Sequence, residues 1–205
     1  MLSRLRGVVI SGLYKQVPDS TRLGREALGL IESARKSGDP ASLDQAVELL
    51  DQAIATTPSS DATFPIHLNA LMSALKLRFE LRGDVADLDQ AIDRGRAAVA
   101  ACPRRHAARY AILSNLAVLL LARAGRIGNN NDVEDAISLG EQALALASKD
   151  SHWRPSVLEN LSSAFLAQFR RTGSVADLDR ADALVLQALD KRNGTQHGKP
   201  MQTCS

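Results

Sequence analysis

Aromatic side chains are almost missing from this chain, with one Trp, two Tyr and four Phe among 205 residues. A core without large rings has to be filled by Ala and aliphatic side chains. That suits helices in close approach and not a β-sandwich. A disulfide framework is excluded, because Cys102 and Cys204 are the only cysteines, one inside a repeated unit and one in the last two residues. Two unpaired thiols fit a reducing compartment. Charge of one sign is missing as well: 25 Lys and Arg oppose 23 Asp and Glu, a net charge of +2. Such a balance gives no ground for nucleic acid or membrane as a partner. No continuous apolar window of about 18 residues is read in the sequence. The first ten residues, Met1 to Ile10, are too short and too interrupted for a secretory leader or a membrane span. The expectation is a cytoplasmic protein, and the Asn193-Gly194-Thr195 glycosylation pattern is set aside on that ground.

What is present is a period. Gly38-Asp39, Gly83-Asp84, Gly128-Asn129 and Gly173-Ser174 recur every 45 residues, with no insertion or deletion between them. Leu43, Leu88, Val133 and Leu178 follow at one fixed offset, Ala46, Ala91, Ala136 and Ala181 at a second, and Ala53, Ala98, Ala143 and Ala188 at a third. A period of this size means stacked supersecondary units, each touching only its neighbours.

Each unit reads as two helices. The first-helix segments run near 20–37, 65–82, 110–127 and 155–172, with Leu23, Leu68, Leu113 and Leu158 in equivalent places. Leu30, Leu75, Leu120 and Phe165 come seven later and Ala34, Phe79, Ala124 and Phe169 four after that, which makes one stripe. Cations in the last turn oppose the helix dipole, and the Gly ends the helix in a left-handed turn. Asp39, Asp84, Asn129 and Ser174 are N-cap types, and Asp87, Asp132 and Asp177 three residues on are placed to close capping boxes. The second helices run near 41–56, 86–101, 131–147 and 176–190. So short a turn between them forces an antiparallel pair.

The predicted organisation is an all-α solenoid of about four helix pairs, a right-handed superhelix, over 19–190 (units 19–58, 64–103, 109–148 and 154–190). Residues 1–18, with Leu2, Leu5, Val8, Val9 and Leu13, allow an N-terminal capping helix or the remnant of a preceding repeat. Residues 191–205 show no periodicity and are expected to be disordered. The last helix would then stay partly uncovered through Leu184, Val185 and Leu189, leaving either a longer array or self-association through the fourth repeat.

The pattern resembles the tetratricopeptide repeat (TPR). Leu113, Leu116, Ala117 and Leu120 stand at the spacing of that family's Trp, Leu, Gly and Tyr. Ala91, Gly95, Ala98 and Pro103, and again Ala46, Leu50, Ala53 and Pro58, match its Ala, aromatic, Ala and Pro. The 45-residue version is similar to the repeats found beside CHAT domains, which are caspase-like peptidase modules. The stretches Arg78–Ile92 and Leu113–Leu116 carry that likeness. Gly95 and Gly140 replace a large aromatic of the family, from which looser local packing is expected.

The resemblance implies a non-enzymatic scaffold that binds a protein or peptide along a concave groove lined by the first helices. The alternative it implies is a regulatory or adaptor component of a CHAT-type peptidase system, with the catalytic module on another chain. The implied groove residues are Asn69, Ser114 and Glu159 in one column, Arg25, Asn115 and Asn160 in the next, then Ser73, Val118 and Ser163, and Lys76 beyond. An Asn column can donate to and accept from a peptide backbone, or can simply satisfy neighbouring backbone. Thr21, Ile66, Ala111 and Ser156 stand where a chaperone-tail clamp would need Lys, so that ligand is not expected. No cofactor or metal is expected. His67, His106, His152 and His197 lie at no ligand spacing, and Asp84, Asp87 and Asp89 lack the Gly and distal Glu of a calcium loop. Arg104, Arg105, His106 and Arg109 form a basic loop, solvated or in contact with an acidic partner.

Overall fold

In a computed structural model, residues 19–196 are described, with side chains to Arg192. Among them lie eight helices and no strand. They form four pairs: α1 (Asp19–Ser37) with α2 (Pro40–Thr56), α3 (Phe64–Arg82) with α4 (Val85–Ala101), α5 (Arg109–Ile127) with α6 (Asn130–Leu146), and α7 (Arg154–Thr172) with α8 (Val175–Gln196). The expected capping helix at 1–18 lies outside the described residues.

The turn within each pair is dictated locally. Gly38, Gly83, Gly128 and Gly173 adopt φ of 70–75°, a region that costs Gly nothing. Their N–H groups close the first helices by donating to Ala34, Phe79, Ala124 and Phe169 carbonyls at 2.7–2.9 Å. The following side chain caps the second helix: Asp39 accepts from the Ala41 and Ser42 N–H groups, Asp84 from Ala86 and Asn129 from Asn131.

The acidic residues three positions on do not close capping boxes. Asp87 and Asp132 are buried and accept paired guanidinium bonds instead. Arg78 donates to both Asp87 oxygens at 2.9 and 2.5 Å and to Asp44 of the preceding unit at 2.9 Å. Arg123 repeats this 45 residues later, with Asp132 at 2.8 Å and Asp89 of the preceding unit at 3.2 Å. Each Arg thus ties its own pair together and to the unit before it. The carboxylates hold both guanidiniums above their ordinary pKa, and Arg82 and Arg78 hold Asp44 below its own. In the fourth unit Gln168 occupies this column, and exposed pairs stand in for the clamp, Arg171–Glu134 at 3.0 Å and Arg180–Glu141 at 3.3 Å.

Every helix packs on its chain neighbours. In addition α1 packs on α3, α3 on α5 and α5 on α7, whereas the backbones of α2, α4, α6 and α8 stand further apart and meet only through long side chains, Arg94 to Asp51 at 3.6 Å and Arg180 to Glu141 at 3.3 Å. An array in which one set of helices converges and the other splays is curved, with the converging set inside. The first helices therefore line the concave face.

The core is aliphatic and small, as the scarcity of aromatics requires: Leu43, Leu50, Leu71, Leu75, Leu88, Ala91, Leu119 and Leu120 are fully or almost fully buried. Packing at Gly95 and Gly140 is tight, not loose as expected. A Cβ on Gly95 would stand 2.7 Å from Met72 Sδ and 2.8 Å from Leu116 Cδ1, and one on Gly140 would stand 2.8 Å from Leu161 Cδ1. The missing side chain lets the next unit's Leu approach the helix backbone.

Three further expectations change. Helix α5 is long and apolar enough, by length and composition, to cross a membrane. It is also the helix packed on α3, α4, α6 and α7. Helix α8 runs to Gln196, six residues into the stretch expected to be disordered. Asn193 replaces the Pro58 and Pro103 of the first two units, and Arg192 holds Glu159 of α7 at 2.8 Å. Leu184 is buried beside Phe165 and is not part of an open face.

Candidate functional site

The concave face carries a cavity of about 260 Å³, lined by residues of all four first helices. Arg35 comes from α1, Ser73, Lys76 and Glu80 from α3, Asn115 and Val118 from α5, and Asn160 from α7. Five of the ten groove candidates meet here: Ser73, Lys76, Asn115, Val118 and Asn160. The structure does not bring the other five, Arg25, Asn69, Ser114, Glu159 and Ser163, to the cavity lining.

The Asn column joins one unit to the next. Asn115 Nδ2 donates to Asn69 Oδ1 at 3.1 Å, and Asn160 Nδ2 donates to the Ser114 hydroxyl at 2.9 Å. The partners are side chains of the preceding first helix, not neighbouring backbone. This explains two candidates that miss the cavity, because Asn69 and Ser114 serve as acceptors beneath it. Ser114 is buried, and Asn69 is half-buried. Each Asn amide spends one N–H on this ladder. Among the described residues the side-chain carbonyls of Asn115 and Asn160 accept no hydrogen bond, and both residues line the cavity.

The remaining candidates have local duties. The Ser73 and Ser163 hydroxyls donate to Asn69 and Glu159 carbonyls one turn back, both at 3.0 Å. Lys76 pairs with Glu80. Glu159 pairs with Arg192. Arg25 is exposed on α1.

Sequence reasoning missed Arg35 and Glu80, which occupy the same position in consecutive first helices. Extending the Lys76 column by one helical turn would have found them. They make the cavity rim charged, with Arg35 and Lys76 against Glu80.

The basic loop divides. Arg104 and Arg105 are exposed, but Arg109 is turned inward and donates to the Val99 and Cys102 carbonyls, closing the end of α4. Arg154 closes α6 in the same way through the Leu144 and Ala147 carbonyls. Cys102 is buried, and burial pushes its thiol pKa up, opposite to what a nucleophile needs. No group of three His, Cys, Asp or Glu able to hold a metal occurs among the described residues.

The chain matches no family model and no curated protein. Among solved structures it is similar to the DHF58 filament, at 17% identity over 86% of this chain and 94% of that one, with a TM-score of 0.46. It is also similar to a crystal structure of nearly identical TPR-like repeats from Podosopora anserina, at 19% identity over 89% and 100% of the two chains, with a TM-score of 0.43. The de novo designed helical repeat protein DHR64 follows at 17% identity over 86% and 94%, with a TM-score of 0.41. All three are helical repeats, as this chain is on its own geometry. At these scores the likenesses carry no further argument.

Proposed function

We propose that this chain is a non-enzymatic interaction scaffold that takes an extended peptide segment of a protein partner along its concave face. One observation carries the reading: all four first helices contribute to a single cavity lined by the Asn115 and Asn160 amides beside Val118. A peptide backbone offers N–H groups to such amides, and its side chains fill the space over Val118, Met72 and Leu119. Arg35, Lys76 and Glu80 at one end select charge and direction.

A displayed random-peptide library screened on the full chain supplies a probe, and titration measures its affinity. Val118→Arg and Lys76→Glu are expected to weaken the selected peptide at least ten-fold, while Arg96→Glu on the second-helix side leaves it unchanged. Peptides that bind equally well to Val118→Arg would overturn the reading. The narrower role, as an adaptor of a CHAT-type peptidase system, rests on the sequence resemblance alone. A caspase-like chain that co-elutes at equal molar ratio would establish it. Self-association belongs to a different face, the open side of α8.

A further inference from the structure

The first and the last of the described helices differ in their outward faces. In α3, α5 and α7 the residues that pack on the preceding unit include Leu71, Leu116 and Leu161, all buried. The equivalent residue of α1 is Glu26, exposed and paired with Arg22 at 3.7 Å. Arg22 itself stands in the column of His67, Ile112 and Val157, which are buried. The outward face of α1 is thus polar.

At the other end, α8 repeats the seam that every second helix offers to the next unit. That seam reads Leu43, Val47, Leu50 and Ile54 in α2 and Val133, Ile137, Gly140 and Leu144 in α6. Where a following unit exists it is filled: Ile137 and Leu144 pack against Leu158 and Leu161. In α8 the same positions are Leu178, Asp182, Val185 and Leu189, continued backwards by Val175 and forwards by Arg192. Val185 is 39% exposed, Leu189 46% and the flanking Leu186 62%. Spacings of three and four repeat along the whole line, which is the pattern of a two-helix seam.

We propose that this face binds the same face of a second copy, with the two α8 helices antiparallel about a twofold axis. Antiparallel is the direction in which the next first helix packs at the internal junctions. Opposite the polar face of α1 the apolar seam finds no match. Opposite itself it does. The register that sets Val185 against Leu189 of the partner subunit also sets Asp182 against Arg192 of the partner subunit, and both pairs occur twice by symmetry. The single acidic residue in the seam therefore meets the single cation, in the one alignment that also pairs the aliphatic residues. The Arg192 contact to Glu159 is compatible with this, because a guanidinium carries five donors.

Sedimentation velocity of the full chain across a hundred-fold concentration range tests the idea. A monomer–dimer equilibrium is expected, and Leu189→Glu is expected to weaken the dimer at least ten-fold while the helical circular dichroism stays unchanged. Register is tested in a Cys204→Ser background: a mixture of Val185→Cys and Leu189→Cys chains should form mixed disulfides faster than either chain forms with itself. A monomer at every concentration, or an assembly that grows beyond the dimer, overturns the proposal. So does an absence of preferred mixed disulfides. If Leu5→Glu dissolves the dimer and Leu189→Glu does not, the N-terminal segment is the occupant and the proposal fails. None of these readouts depends on the concave groove.

Discussion

The second and third units meet through the same columns as the third and fourth, yet the two junctions are held differently. Both have a Gly seam, at Gly95 and Gly140, an Asn bridge, at Asn115 and Asn160, and an inward Arg closing the preceding helix, at Arg109 and Arg154. Only the first has the buried clamp, in which Arg123 joins Asp132 to Asp89. At the second, Gln168 cannot supply the charge, and Arg171 reaches Glu134 from an exposed position. Shape is therefore repeated four times, while the buried clamp stands at the first two of the three junctions and is missing from the last. Stability in such a chain is a sum of units and junctions, so the fourth unit should open first.

The largest expected effect comes from removing the clamp. Arg123→Leu leaves Asp132, 2% exposed, as a buried carboxylate without its cation, at a cost of about 3 kcal/mol. Arg171→Leu at the other junction should cost under about 1 kcal/mol, as exposed pairs do. Urea denaturation of the two variants checks the difference; equal losses would remove the distinction between the junctions.

Next comes the Gly seam. Gly95→Leu would force a side chain into space held by Met72 and Leu116, and about 1–3 kcal/mol should be lost. Gly29→Ala is the control. It is exposed in α1 with nothing within 4 Å of an added Cβ, so it should gain up to about 1 kcal/mol from helix propensity alone. Thermal melts of the pair read both signs. A Gly95→Leu chain as stable as the parent would show that the close approach is not energetically significant.

Restoring the missing cation at the last junction should have the opposite sign. Gln168→Arg places a guanidinium in the column of Arg78 and Arg123, within its own unit's Asp177 column and the Glu134 column of the unit before. A gain of about 0.5–1 kcal/mol is expected. Amide hydrogen exchange should locate it as slower exchange in α7 and α8. Protection gained uniformly along the chain, or not at all, would count against a local clamp.

How much of this was legible beforehand follows from what a period can encode. The helix pairs, their Gly and Asx turns and the small-residue core are repeated in register, so the columns display them directly. The clamp was also written in columns, as Arg78 and Arg123 against Asp87 and Asp132. Local rules explained those residues too easily, the cations by the dipole and the acids by capping boxes. Contacts between units 34 or 46 residues apart have no local signature. Asn115 therefore read as a ligand contact, when one of its N–H groups is spent on Asn69. Gly95 read as a packing defect because its partner, Leu116, belongs to the next unit. The end of α8 was missed for a simpler reason: residues 191–196 carry no apolar periodicity.

The smallest effect concerns the first junction, which buries a titratable side chain where the other two bury an aliphatic one. His67 stands where Ile112 and Val157 stand, 5% exposed, in space left open by Gly24. Its Nε2 has no hydrogen-bond partner, and burial holds its pKa below the ordinary 6.5, with Asp61 opposing that shift only in part. The folded chain therefore binds fewer protons at this site than the unfolded one between the lowered value and 6.5. Stability contributed by neutral His67 is present in full above about pH 6.5 and falls on acidification below it, by at most about 1.4 kcal/mol per pH unit for one proton. The carboxylates of Asp39, Asp44 and Asp61, all held below their ordinary value of 3.8, lose their contribution only in a separate, more acid window. Between pH 7.5 and pH 5.5 the melting temperature should fall for the parent chain and stay nearly level for His67→Ile, which copies the residue at position 112. Hydrogen exchange at pH 5.5 should show the loss in α1 and α2, ahead of the unclamped fourth unit. A His67→Ile chain that kept the full acid sensitivity would mean that the titrating group lies at another junction.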